Sequence, residues 1–181
     1  MPDLWSDLLA CLDLNPVPSG DTGGERGSAD IAEFEGRNQR LEYHRVFGGQ
    51  LLAQFIRIAA LTRPDKAVKS QHAVFAREGR ADEPIRYEAS RHHDGRSFAS
   101  VTVTARQSRG VVATSSICMH AGEDGPELAP ALTAYATDLT LIGTALRPID
   151  GVGQRGNGTA FTSAVTLVAS YAQEALLRFA S

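Results

Sequence analysis

The stretch Val46–Arg63, VFGGQLLAQFIRIAALTR, constrains the fold more than any other part of the chain. Phe47, Leu51, Phe55, Ile58 and Leu61 recur at steps of three and four residues. That spacing predicts a helix with one apolar stripe. Pro64 has no amide hydrogen to continue the ladder and ends it. Beyond Pro64 the apolar residues alternate, the period of strands. A helix with such a stripe, followed by a long block of strands, buries the stripe most simply against the sheet those strands form. The expected class is therefore α+β, with an antiparallel sheet wrapped around the helix. Gly48 and Gly49 fall in the first turn, where glycine weakens a helix. They leave the first N–H groups bare of side chains, which admits either a second backbone packed close or a small ligand.

Around this helix the chain reads in order. Asp3 is placed to cap a short helix from Leu4 to about Leu12, with Leu4, Leu8 and Leu12 on one face. Pro16–Asp30, rich in Gly, Pro and Ser, reads as a flexible connection. Its glycines lack the regular spacing of a phosphate-cradling loop. Ile31–Gln39 reads as a strand leading to the helix, and Val68–Arg77, Pro84–His92, Ser97–Gln107 and Val111–His120 as a four-strand meander. Asp94-Gly95 and Ser108-Arg109-Gly110 mark its tight turns. A second helix is expected from Pro130 to about Leu146, with the stripe Leu132, Tyr135, Ala136, Leu139, Ile142 and Leu146. A glycine-rich passage, Gly151–Gly158, separates it from TLVASYAQEALLRF at the C-terminus. That segment alternates as a strand would, although its Ala-Gln-Glu-Ala-Leu-Leu portion also suits a helix.

The chain has 181 residues, room for one full domain and a second, small one. Its formal net charge of -3 gives no basic footprint for nucleic acid. Cys11 and Cys118 stand far apart, without metal-ligand spacing, and read as two reduced thiols. The histidines likewise lack such spacing, so no metal site is expected. The N-terminus has no basic leader, and no apolar run is long enough to span a bilayer, which together predict a cytoplasmic protein.

Several pieces of the chain, in order, resemble the acyl-CoA thioesterase II family, the TesB-like double hotdog proteins. They are Phe34-Glu35-Gly36, Arg45-Val46-Phe47-Gly48-Gly49-Gln50, His72-Ala73-Val74-Phe75, Asp94-Gly95-Arg96-Ser97-Phe98, Tyr135-Ala136-Thr137-Asp138, and Leu167-Val168-Ala169-Ser170 running into Gln173-Glu174. The resemblance implies a hotdog fold, a central helix wrapped by an antiparallel sheet. It also implies hydrolysis of an acyl-CoA substrate to a fatty acid and coenzyme A, with no bound cofactor. The family's catalytic group is an Asp on the second helix, a nearby Ser or Thr, and a Gln on the last strand. Asp138 and Gln173 fall on the first and third positions, and either Thr162 or Ser163 on the second. The Asp-His and Trp-Phe-His that usually follow the hydroxyl are absent.

This gives three expected segments: an N-terminal helix and linker over 1–33, a complete hotdog unit over 34–120, and an abbreviated second unit over 121–181. A sheet as short as the second cannot wrap a helix alone, so either a partner chain completes it or it is a remnant. Unpaired edges and apolar helix surface then predict a homodimer or higher oligomer.

The residues themselves allow the implied chemistry. A carboxylate at the rim of an apolar helix face polarises water, and a glutamine orients it through donor and acceptor. Glycine-led N–H groups at Gly48 and Gly49 are candidates to receive the oxyanion. Neither a Ser-His-Asp order nor a GxSxG elbow is present, which favours direct attack by water. Periodicity alone favours reading Asp138 as a solvated rim carboxylate and Gln173 as a sheet-edge or exposed residue, and the resemblance is what gives both a catalytic role. The competing function is a hotdog protein that binds acyl-CoA or a partner subunit without turnover.

Overall fold

The computed structural model describes residues 4–18, 31–41, 44–121, 131, 134–135, 154–161 and 167–175. Its centre is helix α2 (Gly48–Thr62). The helix stops where the sequence says it must. Arg63 leaves helical geometry at φ -141°, ψ 75°, as a residue before proline is driven to do. Leu51, Phe55, Ile58 and Ala59 are buried against the sheet. Each large side chain so removed from water contributes about 1.5–3 kcal/mol.

The sheet has six antiparallel strands: β1 (Asn15–Val17), β2 (Ile31–Gly36), β3 (Ala67–Phe75), β4 (Ile85–Asp94), β5 (Phe98–Gln107) and β6 (Gly110–His120). Its concave face carries Ile85, Tyr87 and Ala89 from β4, Ala99, Val101, Val103 and Ala105 from β5, and Ala113, Ile117 and Met119 from β6. The alternation in these strands is the sequence period made visible. This α+β arrangement of a helix in the curve of an antiparallel sheet is the hotdog fold expected for the first unit.

The strand order departs from the expected meander. It runs β1-β2-β4-β5-β6-β3, so of the four strands expected to form the meander only β4, β5 and β6 follow one another. β2 occupies the place beside β4, pairing Phe34 with Tyr87, and β3 lies at the opposite edge on β6. The helix carries the chain across the sheet before β3 begins, which places β3 on the far side. Two local readings also change. Asn15–Val17, at the start of the stretch read as flexible, pairs with Glu33–Glu35. The β4–β5 hairpin closes over Gly95–Ser97, with the Gly95 N–H donating to the Phe98 carbonyl at 2.9 Å.

A second buried face of α2 was not expected. Ala53 and Ile56 pack against Leu8, Cys11 and Leu12 at the end of α1 (Leu4–Cys11), and against Ala131. Burial pushes the Cys11 thiol up to about 12, with the nearby Asp7 carboxylate adding to the shift. Leu61, placed in the apolar stripe by periodicity, is 43% exposed. Of the second helix, residues 131, 134 and 135 are helical; the rest of its expected span lies outside the described residues. β7 (Gln154–Phe161) and β8 (Leu167–Ala175) form a two-stranded antiparallel sheet. β7 thus overlaps the passage read as a glycine-rich connection, and β8 is the expected last strand. Among the described residues no helix is long and apolar enough to cross a membrane.

The two fully buried polar residues of α2, Gln50 and Gln54, are joined to the sheet and loops by hydrogen bonds. Tyr87 donates its hydroxyl to Gln54 Oε1, which also accepts from Gln50 Nε2 at 3.1 Å. Gln54 Nε2 donates to the carbonyls of Cys11 at 2.7 Å and Arg37 at 3.1 Å. Gln54→Leu keeps volume but strands the Tyr87 hydroxyl and two carbonyls. Each stranded buried group costs about 1–3 kcal/mol. Denaturant unfolding of Gln54→Leu is therefore expected to show a loss of roughly 3 kcal/mol or more, against about 1 kcal/mol for Tyr87→Phe. Equal losses would contradict the central place given to Gln54.

Candidate active site

The glycine-led start of α2 is where the first unit meets the residues before Asp138. Phe47 precedes the helix in extended geometry and offers no side-chain cap. Gly48 is half-buried and Gly49 buried. A Cβ on Gly49 would lie 2.4 Å from the Tyr135 carbonyl oxygen and 2.6 Å from the Phe47 ring. Of the two readings the sequence left open, close approach of a second backbone is the one realised at Gly49.

Tyr135 is held there by two further contacts. Its ring meets Phe47 edge to face at 5.0 Å between centroids. Its hydroxyl donates to Gln39 Oε1 at 2.8 Å. The Gln39 backbone N–H in turn donates to Gln50 Oε1 at 2.9 Å, and Gln50 Nε2 donates to Asn38 Oδ1 at 3.0 Å. Asn38 Nδ2 closes the chain on the Glu83 carbonyl at 2.6 Å. A buried run of amides thus fixes the first turn of α2, the segment after β2 and Tyr135 in one body. The helix dipole puts its positive end here, and no acidic side chain occupies the first turn to neutralise it.

The expected site residues divide into two groups. Gly48 and Gly49 stand at the helix start as described. Gln173 lies in β8, with its backbone opposite Gly156 of β7. Asp138, Thr162 and Ser163 lie outside the described residues. Tyr135 stands three residues before Asp138 in the sequence, and Thr162 directly follows β7. Among the described residues no group of three or more His, Cys, Asp or Glu is disposed to hold a metal ion. His72, His92 and His93 are exposed. His92 shares a hydrogen bond with Thr102 Oγ1 at 2.8 Å, and His120 meets Phe98 edge to face. Sequence reasoning missed Asn38, Gln39, Gln50 and Tyr135 as a connected set. The one legible signal was Gln50 and Gln54 four apart within a mostly apolar helix.

Comparison with known proteins adds three findings. Residues 39–120 match the family model of the acyl-CoA thioesterase N-terminal domain. The chain is 33% identical over 128 residues to acyl-CoA thioesterase 2 of Haemophilus influenzae, an alignment covering 70% of this chain and 41% of that relative. The chain thus spans less than half the length of the curated relative it matches. In structure it is similar to a tesB protein of Mycobacterium avium, with a TM-score of 0.78 at 19% identity, covering 96% of this chain and 98% of that one. It is also similar to an acyl-CoA thioesterase II of Mycobacterium marinum, with a TM-score of 0.73 at 21% identity and coverages of 96% and 98%. At such identities the two structures speak for the fold.

The Gly49 contact makes a direct prediction. A methyl group in Gly49→Ala meets backbone at 2.4 Å, where no rotamer relieves it. Overpacking of this kind costs about 1–3 kcal/mol. Thermal unfolding of Gly49→Ala should show that loss. A variant as stable as the parent would mean that Tyr135 does not press on the helix start.

Proposed function

We propose that the chain, whose residues 39–120 match the acyl-CoA thioesterase N-terminal domain, hydrolyses acyl-CoA to a free fatty acid and coenzyme A. Asp138 activates the attacking water, Gln173 orients it, and Thr162 or Ser163 assists. The half-buried helix start at Gly48 lies beside the site and helps receive the oxyanion. Supporting this reading is the docking of Tyr135 on the glycine-led turn of α2, through ring, hydroxyl and carbonyl. It ties the segment that leads to Asp138 to the helix end whose dipole suits developing negative charge. No bound cofactor enters the scheme. The reaction is assigned to the cytoplasm.

The same reading includes a homodimer or larger assembly. β3 is an edge strand of the six-stranded sheet, and Val74 and Phe75 near its end are 54% and 44% exposed. Edges of this length with apolar side chains are normally covered. Sedimentation at micromolar concentration should give at least a dimer, and a stable monomer would remove this part of the proposal.

Release of free CoA thiol from a panel of acyl-CoAs tests the chemistry. Asp138→Asn preserves shape and removes the charge, so turnover should fall roughly 100-fold or more, with folding retained. Gln173→Ala should lower turnover as well. The double variant should lose less than the product of the two, because both groups act on one water. Folded parent protein that releases no thiol, or an Asp138→Asn variant as active as the parent, would leave a binding protein without turnover as the better account.

A further inference from the structure

The structure assigns an anion site to the end of the sheet where β5 turns into β6. Several arginines among the described residues are paired with carboxylates nearby. Arg37 lies 3.2 Å from Asp7, Arg45 2.9 Å from Glu78, and Arg80 2.6 Å from Asp82. Arg77, Arg106 and Arg109 have no carboxylate partner among the described residues, and all three cluster at this end. Arg106 pairs with Val111 at the start of β6, while the Arg77 N–H donates to the Val112 carbonyl at 3.2 Å. The two arginines therefore flank the start of β6 from its two sides. Arg109 stands in the turn between β5 and β6.

Two observations separate this cluster from a set of solvated side chains. Arg77 is held in place. Its guanidinium donates to the Arg109 carbonyl and lies flat over Gly110, where an added Cβ would be 3.5–3.6 Å from three of its atoms. Gly110 has φ +109°, a conformation that side chains rarely adopt, so the turn itself keeps this seat open. One donor of the rigid fork is used and the others remain available. In addition, Arg86 and Arg106 are directly opposite across β4 and β5. Like charges in that position destabilise a sheet, and the ion pair of Arg86 with Glu35, at 3.8 Å, is a long one. Three arginines without a carboxylate partner among the described residues thus lie at one end of the sheet in a chain of net charge -3.

That place adjoins the candidate active site. The Val46 N–H, two residues before Gly48, donates to the Gly79 carbonyl at 2.8 Å. Gly79 is wedged between Val46 and Val112, the residue whose carbonyl holds Arg77. We propose that Arg77, Arg106 and Arg109 bind phosphate groups. Resting on the thioesterase reading, these are the phosphates at the nucleotide end of the acyl-CoA substrate. Planar arginine forks suit phosphate oxygens bidentately.

Calorimetry with adenosine 3',5'-bisphosphate and with inorganic phosphate tests the site apart from catalysis. Arg77→Gln should weaken bisphosphate binding about tenfold or more, as expected for a lost charge-assisted contact. The exposed pair Arg106→Gln/Arg109→Gln, whose side chains make no ion pair among the described residues, should do likewise and guards against a folding effect of the first variant. In hydrolysis, the ratio of kcat/KM for acyl-CoA to that for acyl-pantetheine, which lacks these phosphates, should fall by a similar factor. Variants that bind the bisphosphate as tightly as the parent overturn the site. Inorganic phosphate binding as tightly as the bisphosphate overturns its assignment to the nucleotide end. If the parent binds the bisphosphate through these arginines yet releases no thiol from any acyl-CoA, the site stands and the thioesterase reading falls.

Discussion

The buried amide of Gln54 is the contact on which the rest of the structure depends. It lies in the first half of a helix with no fully solvated face, and its four hydrogen bonds leave in four directions. They reach β4 through Tyr87, α1 through the Cys11 carbonyl, the segment after β2 through the Arg37 carbonyl, and the preceding helical turn through Gln50. An apolar side chain fills the same space but fixes no relative position, because dispersion is non-directional. Hydrogen bonds in a low-dielectric core are directional and costly to leave unmade. Burial pushes the Tyr87 phenol well above its ordinary range, so its hydroxyl stays a donor throughout the accessible pH range. The result is a helix whose rotation and height in the sheet are set at its N-terminal half, the end that forms the candidate site.

That constraint explains how much of the molecule the sequence made legible. Apolar periodicity located α2 and the alternating strands well, because burial against one sheet imposes a period on each. It could not order the strands. β3 and β4 alternate alike wherever they pair, and the crossover that sends β3 to the far edge is a property of the path of α2. The second buried face of α2 was hidden for a different reason. Ala53 and Gln54 are small or polar, and a stripe count passes over both. The Asn15–Val17 strand was hidden by its proline, which an edge strand tolerates.

The candidate site was legible in a more uneven way. Gly48-Gly49 announced a close approach without saying what approaches, and only the Tyr135 carbonyl against Gly49 answers that. Gln39 and Asn38 carried no signal at all, since a polar residue after a strand normally reads as solvated. Their role arises from bonding to Gln50, a relation between separate segments of the chain. Asp138, Gln173 and the hydroxyl pair rest on resemblance, because a single polar residue on a helix rim or strand has no periodic signature of its own.

A boundary after residue 120 divides strands but not the packing of α2. Ala131 is fully buried in the cluster formed by Leu8, Cys11, Leu12, Ala53 and Ile56, and Tyr135 covers the start of α2. The face of α2 turned away from the sheet is thus shared by α1 and by the segment that follows the boundary. Removing that segment would expose Gly49, Phe47 and Ile56 together and leave Gln39 without the Tyr135 hydroxyl. The first unit therefore owes part of its stability to the chain that carries Asp138. Any movement of that segment relative to α2 must break the aromatic contact, the hydroxyl bond and the backbone seat on Gly49 at once. Coupling of this kind places the start of α2 and the residues leading to Asp138 in one cooperative body, the mechanical condition that the proposed oxyanion donor and water-activating carboxylate would need to keep a fixed separation.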